Sequence, residues 1–187
     1  MKRYFILFVF SLMALTFTLN SVVYSAEPGS AEAEKEKAMK NPYPNDLGSD
    51  KIDVTSYSAE LQQGYKLMQD KCAKCHTPSR PLNSQFVDLK PEEIAAAKKS
   101  NPEMFKDKLV WQVESGIWQR YIKRMMAKPG CNISTEEGKK IWKFIVEDSR
   151  KRKTGANASK WAADRKKLIA SFKEKHAERY KELFESK

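Results

Sequence analysis

The sequence predicts an all-α protein. Apolar residues recur at three- and four-residue steps, as Leu61, Tyr65 and Met68 do, which is the spacing of one helix face. Ser134, followed three residues later by Glu137, forms a capping box, the signature of a helix start. No segment shows sustained strand alternation, and no internal repeat is present. Together these observations predict helices joined by loops.

The first 26 residues have the order of a secretory signal. Residues 1–4 are basic, residues 5–19 are apolar, and small residues lead up to Ala26. We expect cleavage and export to the periplasm or another extracytoplasmic compartment of a bacterium, with no stable membrane span in the mature chain. The alternative is an uncleaved membrane anchor, because the apolar run approaches the length of a span.

Three further regions follow the signal. Residues 27–54 are polar and contain prolines and glycines, which predicts a largely irregular lead-in. Residues 55–150 form the central domain. Residues 151–187 are predicted to be a basic linker followed by an amphipathic helix, with an apolar stripe. The stripe residues are Leu168 or Ile169, Phe172, His176, Tyr180 and Leu183.

The central domain is predicted to contain helices in a definite order. Thr55 or Ser58 opens the first, which continues to about residue 74. A proline-punctuated loop occupies residues 77–89, and a short helix covers residues 90–99. Another helix begins near residue 102, is interrupted at Gly116 and resumes over residues 117–127. The capping box at Ser134 opens the last helix, in which Ile141, Phe144 and Ile145 or Val146 share a face.

The amino-acid composition limits the kinds of partner that the protein can bind. The chain has 187 residues and a formal net charge of +11, which falls by two if Lys2 and Arg3 leave with the signal. Such a basic surface favours acidic partners, and no nucleic-acid-binding motif is present. Three cysteines cannot all pair with one another, so a disulfide scaffold is a poor explanation. We therefore expect acidic partner proteins and no nucleic acid.

Cys72, Cys75 and His76 form the motif Cys-Ala-Lys-Cys-His. On a helix, steps of three and four residues place all three on one face. Two thiols there can add to the vinyl groups of one haem while the imidazole reaches the iron, which is the pattern of c-type haem attachment. A thioredoxin-like pair would need a strand before the motif. A zinc site would need a fourth ligand from distant Cys131 or His176.

On these residues the chain resembles the class I monohaem cytochromes c. Three segments carry the resemblance over about residues 58–149: "GYKLMQDKCAKCHTPSRPLN", "WQRYIKRMMAKPGCNIS" and "EEGKKIWKFIVEDS". The resemblance implies a small helical bundle around one covalent haem c. Cys72 and Cys75 would attach the haem, and His76 would be the proximal iron ligand. It also implies an electron carrier rather than an enzyme.

The resemblance suggests Met125 as the distal iron ligand. In the family pattern a tryptophan and an aliphatic residue precede the ligand methionine, and these map onto Trp118, Ile122 and Met125. Methionine ligation raises the reduction potential, whereas a thiolate would lower it. Three other side chains stay open as distal ligands: Met126, Cys131 and His176. Cys131 could equally be a free buried thiol or form an intermolecular disulfide.

Two side chains are candidate haem contacts. Arg80 suits a haem propionate, because arginine matches carboxylate geometry, and Trp118 could line the haem crevice. The predicted function is an exported monohaem electron carrier. The alternative is a haem protein with a labile or Cys131 distal ligand, which binds small gases or serves as a low-potential subunit of a larger redox complex. The C-terminal helix could support a homo- or hetero-oligomer.

Overall fold

The computed structural model describes residues 30–186, and this part of the chain is mostly helical. Its α-helices are α1 (Ala31–Lys40), α2 (Ala59–Cys72), α3 (Ser79–Leu82), α4 (Pro91–Ser100), α5 (Ile117–Met126), α6 (Thr135–Lys153), α7 (Ala158–Lys175) and α8 (Ala177–Phe184). Two short strands, β1 (Phe86–Asp88) and β2 (Gln112–Glu114), pair in parallel. The predicted all-α class is confirmed in its main feature.

Both long helices of the central domain start at the predicted caps. The Ser58 hydroxyl accepts a hydrogen bond from the Leu61 N–H (3.4 Å), which opens α2. At α6 the Glu137 N–H donates to Ser134 Oγ (3.2 Å), and the Ser134 N–H donates to Glu137 Oε2 (2.8 Å). The predicted capping box is therefore confirmed. These caps satisfy backbone donors that a helix start leaves unpaired.

Helices α2 and α6 cross closely at Gly64, and the main core surrounds this crossing. A Cβ atom at Gly64 would overlap the Lys140 carbonyl oxygen and would lie 2.7 Å from Phe144 Cβ. Phe144 is fully buried, and the Tyr65 ring packs 5.3 Å from it. The core also includes buried side chains from α2, α3, α5, α6 and β1: Met68, Leu82, Phe86, Ile117, Trp118, Ile141 and Ile145. The glycine allows the two backbones to come into contact.

Helix α3 and strand β1 correct the prediction of a continuous loop over residues 77–89. The helix predicted to begin near residue 102 is also wrong, because a 3-10 turn (Pro102–Phe105) and then strand β2 occupy this stretch before Gly116. Phe86 pairs with Gln112 and Asp88 pairs with Glu114. Asp88 then caps α5, because its carboxylate accepts from the Gly116 N–H (2.9 Å) and the Trp118 N–H (3.1 Å). Three-residue strands are too short to show an alternating pattern in the sequence, so only the tertiary pairing reveals them.

The lead-in is more ordered than predicted. Helix α1 begins at Ser30, whose side chain accepts from the Ala33 N–H (3.1 Å), and a 3-10 helix follows at Pro44–Leu47. An ion pair joins the segment to the central domain, because Glu34 Oε2 lies 2.8 Å from Lys128 Nζ. A polar segment reads as irregular in sequence because its ordering partners lie far away in the chain.

The basic linker is shorter than predicted. Helix α6 continues to Lys153, and one 3-10 turn, Gly155–Asn157, separates it from α7. Lys153 is fully buried: its ammonium donates to the Ser84 and Phe86 carbonyls (2.9 and 3.1 Å), and it lies 5.0 Å from the centre of the Trp161 ring. Burial lowers the pKa of Lys153 well below its usual value. A lysine that reads as solvated in sequence thus anchors the end of α6.

The predicted C-terminal helix is divided into α7 and α8. The break falls at His176, whose backbone (φ −136°, ψ 52°) leaves the helical region. Before the break, Phe172 is fully buried and its ring centre lies 5.1 Å from that of His176. The apolar stripe therefore packs against this same chain through α7 but does not continue as a single straight helix.

The predicted signal segment lies outside the described residues. Among residues 30–186, no helix is both long enough and apolar enough to cross a membrane.

Candidate functional site

Cys72, Cys75 and His76 lie on one turn at the end of α2. Cys72 is the last residue of that helix, and the next residue keeps a helical backbone. The His76 N–H donates to the Cys72 carbonyl (3.1 Å), so the helical turn continues through the motif. The buried Met68 holds the preceding turn in the core. The two thiols and the imidazole are thus presented together by a rigid element.

The thiols are free and partly buried. Burial is the main cause that raises the pKa of Cys72 to about 12, and the neighbouring Cys131 and Cys75 thiols add to the shift. Burial also raises the pKa of Cys75. Reactive dithiols of the thioredoxin type depend on a lowered thiol pKa, which is the opposite shift. Among the described residues, no group of three or more His, Cys, Asp or Glu side chains is arranged to hold a metal ion.

The His76 ring is oriented through its Nδ1 atom, which lies 2.9 Å from the Thr77 carbonyl oxygen. Because a carbonyl oxygen can only accept, Nδ1 carries the proton and Nε2 keeps a free lone pair. Burial lowers the pKa of His76, and the nearby Arg80 acts in the same direction. The imidazole is therefore neutral at pH 7, as a metal-ligating histidine must be.

The residues present fit a covalent haem. Two unpaired thiols and an imidazole with a free Nε2 lie within one helical turn, which is the donor set that the group requires. The indole Nε1 of Trp142, on α6, is buried and has no hydrogen-bond acceptor in the described part of the chain.

The candidate distal residues lie at the end of α5 and just after it. Met126 packs against α6, because a Cβ atom at Gly138 would lie 2.6 Å from its sulfur. Met125 is half-buried in the last turn of α5. Cys131 follows a glycine with a left-handed backbone, Gly130 (φ 74°). The structure therefore assigns Met126 a packing contact, with Met125 in the last turn of α5 and Cys131 in the loop that follows.

The loop that carries Cys131 is tied to the end of α2. Lys71 Nζ donates to the Asn132 carbonyl (3.2 Å) and lies 2.9 Å from Glu137 Oε1. The Cys131 thiol is close enough to Cys75 for the two to interact electrostatically, and burial and this neighbour raise its pKa. All three cysteines therefore gather in one region, whereas His176 lies at the junction of α7 and α8.

The candidate haem contacts have partners within the chain. Arg80 forms an ion pair with Asp46, and its guanidinium lies 4.9 Å from the centre of the Tyr43 ring. Trp118 is buried, and its indole N–H donates to Ser149 Oγ (3.2 Å). Trp118 thus lies in the core, while Arg80 links the motif to the lead-in.

Sequence reasoning missed two residues that shape this site. Gly64 sets the crossing that places α2, and its only sequence signal is a glycine inside a helical apolar pattern. Asp46 contacts the loop after His76, and nothing in the polar lead-in distinguishes it from other acidic residues. Both roles depend on contacts with distant parts of the chain.

Residues 59–145 match the family model described as cytochrome C oxidase, cbb3-type, subunit III. The match indicates a c-type cytochrome domain, so the resemblance found in the sequence is confirmed. The match supports a haem-binding electron-transfer domain of the cytochrome c type over residues 59–145, and this type of domain implies covalently bound haem c. No curated protein and no solved structure matches the chain significantly.

Proposed function

We propose that this protein is an exported monohaem cytochrome c that carries electrons between partner proteins and is not itself an enzyme. The observation that carries the proposal is the turn at the end of α2, where Cys72, Cys75 and a neutral His76 with a free Nε2 lie together. When bound, the haem iron supplies a one-electron redox couple. The protein's part is to hold the group, fill its axial positions and limit solvent access.

Each residue of the motif has a distinct role in this proposal. The thiols of Cys72 and Cys75 would hold the haem by adding to its two vinyl groups, each S–H hydrogen going to the neighbouring vinyl carbon. His76 would ligate the iron through its Nε2 lone pair, while the Thr77 carbonyl accepts the hydrogen bond from Nδ1. Because the imidazole is already neutral and oriented, no proton has to leave it on binding.

Met125 is the proposed distal ligand. Its neighbour Met126 packs on Gly138 of α6, and Met125 lies in the same last turn of α5, at the position that the family spacing from Trp118 indicates. A thioether from Met125 would complete the ligands of a bound haem iron and keep substrates away from it. Arg80 and Trp118 remain candidate haem contacts, Arg80 through a propionate.

A second candidate function follows from the position of Cys131. Its thiol lies in the same region as Cys72 and Cys75, tied there through Lys71. A Cys131 thiolate ligand, or a labile distal position, would give a low-potential or gas-binding haem protein. The name of the matching family supports a place as a subunit of a larger redox complex.

Partners and location follow from charge and from the signal segment. The net charge of +11 favours acidic redox partners, and the first 26 residues support export to the periplasm. Trp161, Arg165 and Phe172 of α7 are buried within this chain. Oligomerisation through the C-terminal region would therefore use α8 or the exposed face of α7.

Spectroscopy of the purified protein tests the proposal. Haem should remain attached after denaturation and acid-acetone extraction, and the spectrum of the pyridine adduct should be that of a haem with both vinyl groups saturated. A methionine-to-iron charge-transfer band in the oxidised protein would support Met125. Reduced protein should not bind carbon monoxide, because the sixth position is filled. Freely extractable haem would refute the assignment, and ready carbon monoxide binding would favour the second candidate.

A further inference from the structure

We propose that Asp46, in the lead-in outside the matched region, is a positioning residue for His76 and thereby contributes to setting the reduction potential. The inference rests on the proposed function, because it concerns the residue that would ligate the iron. It assigns a role to a segment that the family match over residues 59–145 does not include.

Hydrogen bonds connect Asp46 to the proximal histidine. Thr77 Oγ1 donates to Asp46 Oδ1 (3.3 Å), and the carbonyl of the same threonine accepts from His76 Nδ1 (2.9 Å). Arg80 donates two hydrogen bonds to the same carboxylate, from Nε to Oδ1 (2.9 Å) and from Nη2 to Oδ2 (2.6 Å). One carboxylate therefore holds both the residue that orients the imidazole and the arginine three residues further on.

The carboxylate and its neighbours in the lead-in are held by further hydrogen bonds. The Tyr43 N–H donates to Asp46 Oδ2 (2.9 Å). The buried Arg165 of α7 donates to Asn45 Oδ1 (2.6 Å), and Arg179 of α8 donates to the Pro42 carbonyl (3.3 Å). Helices α7 and α8 thus contact the part of the lead-in that contains Asp46.

Burial makes this ion pair more effective than a surface pair. The Asp46 side chain is 11% exposed and the Arg80 side chain 20%, so solvent screens their charges only in part. Groups that accept the Nδ1 proton of a ligating histidine fix its orientation and raise its basicity. A negative charge near the iron also stabilises the ferric state. Both effects lower the potential, so removing the Asp46 charge should raise it.

The substitution Asp46→Asn tests the inference, because it keeps the size and one oxygen acceptor but removes the charge. Glu93→Gln is the matched control: Glu93 pairs with Arg150 at 3.0 Å, with side chains 38% and 27% exposed, but this pair joins α4 to α6. We expect a higher midpoint potential and shifted His76 ring signals in the ferric NMR spectrum for Asp46→Asn. Glu93→Gln should change neither, and Asp46→Glu should restore the potential towards the wild-type value.

The outcomes separate the inference from the function on which it rests. Wild-type protein without covalent haem would refute the proposed function. Covalent haem with the same potential and ring signals in wild type and Asp46→Asn would overturn the inference. If Asp46→Asn does not fold, Thr77→Val removes only the Oγ1 donor and keeps the ion pair. Shifted His76 ring signals in Thr77→Val would support the inference, and unchanged signals would overturn it.

Discussion

Replacing Gly64 by alanine tests whether the α2–α6 crossing positions the haem-binding turn. The added Cβ would overlap the Lys140 carbonyl oxygen and lie 2.7 Å from Phe144 Cβ, whereas ordinary contacts begin near 3.4 Å. The helices must therefore separate by at least about 0.7 Å at the crossing, the difference between those two distances, and by more where the Lys140 oxygen lies closer still. Neither obstacle can rotate away, because one is backbone and the other is the Cβ of a fully buried ring.

The expected cost follows from two opposing effects. Overpacking a core costs about 1–3 kcal/mol, and the upper part of that range applies where backbone must move. Alanine regains about 1 kcal/mol of helix propensity relative to glycine. We therefore expect Gly64→Ala to lower the free energy of unfolding by about 1–2 kcal/mol, which is the balance of these terms. Because α2 carries Cys72 eight residues later, its displacement should also perturb the haem spectrum.

Gly138→Ala is the matched control, since it makes the same exchange inside α6. Its Cβ would meet the sulfur of Met126 at 2.6 Å, but that atom lies near the end of a flexible side chain and can move aside. The propensity gain should then leave stability unchanged or slightly higher. Denaturant titration of the purified full chain, followed by circular dichroism, measures both variants. Finding Gly64→Ala as stable as Gly138→Ala would refute the close-crossing argument.

Three further predictions concern the haem and the surface. Cys72→Ser combined with Cys75→Ser should release haem on extraction and destabilise the domain, which absorbance and thermal unfolding measure; retained covalent haem would contradict the attachment. Electron exchange with an acidic partner should slow as salt rises, because salt screens the net charge, which is +9 once Lys2 and Arg3 are removed from the +11 of the full chain. Stopped-flow rates that do not change with ionic strength would contradict this. Met125→Ala should lower the potential, abolish the charge-transfer band and open the iron to carbon monoxide, while Cys131→Ala should change none of these. If a Cys131 thiolate is the ligand, the outcome is reversed: Cys131→Ala would raise the reduction potential, and Met125→Ala would leave the spectrum unchanged.

The helices of the central domain could be predicted because their signals are local. Ser58 and Ser134 cap α2 and α6 as their sequences indicate, and the three- and four-residue apolar steps identify the faces that pack in the core. The paired strands β1 and β2 could not be predicted in this way. Each has three residues, and their pairing depends on a partner more than twenty residues away.

Polar segments were the main source of wrong predictions. The lead-in contains α1, and Lys153 is buried under Trp161 and not exposed in a linker. A charged residue looks the same in the sequence whether its side chain is hydrogen-bonded to water or to a carbonyl from a distant part of the chain. Their burial is decided only when the chain is assembled.

The sequence alone determined which residues form the proposed haem-binding motif, because Cys72, Cys75 and His76 occupy one helical turn and their spacing follows from helix geometry. The tertiary structure alone decided what surrounds that turn. Asp46 reaches Arg80 across 34 positions of sequence, and Arg165 reaches Asn45 across 120. Such contacts require separate segments to be brought together by packing, and no local periodicity records them. The proposed ligands therefore lie within five neighbouring positions of the sequence, whereas the hydrogen bonds that surround them form only in the folded chain.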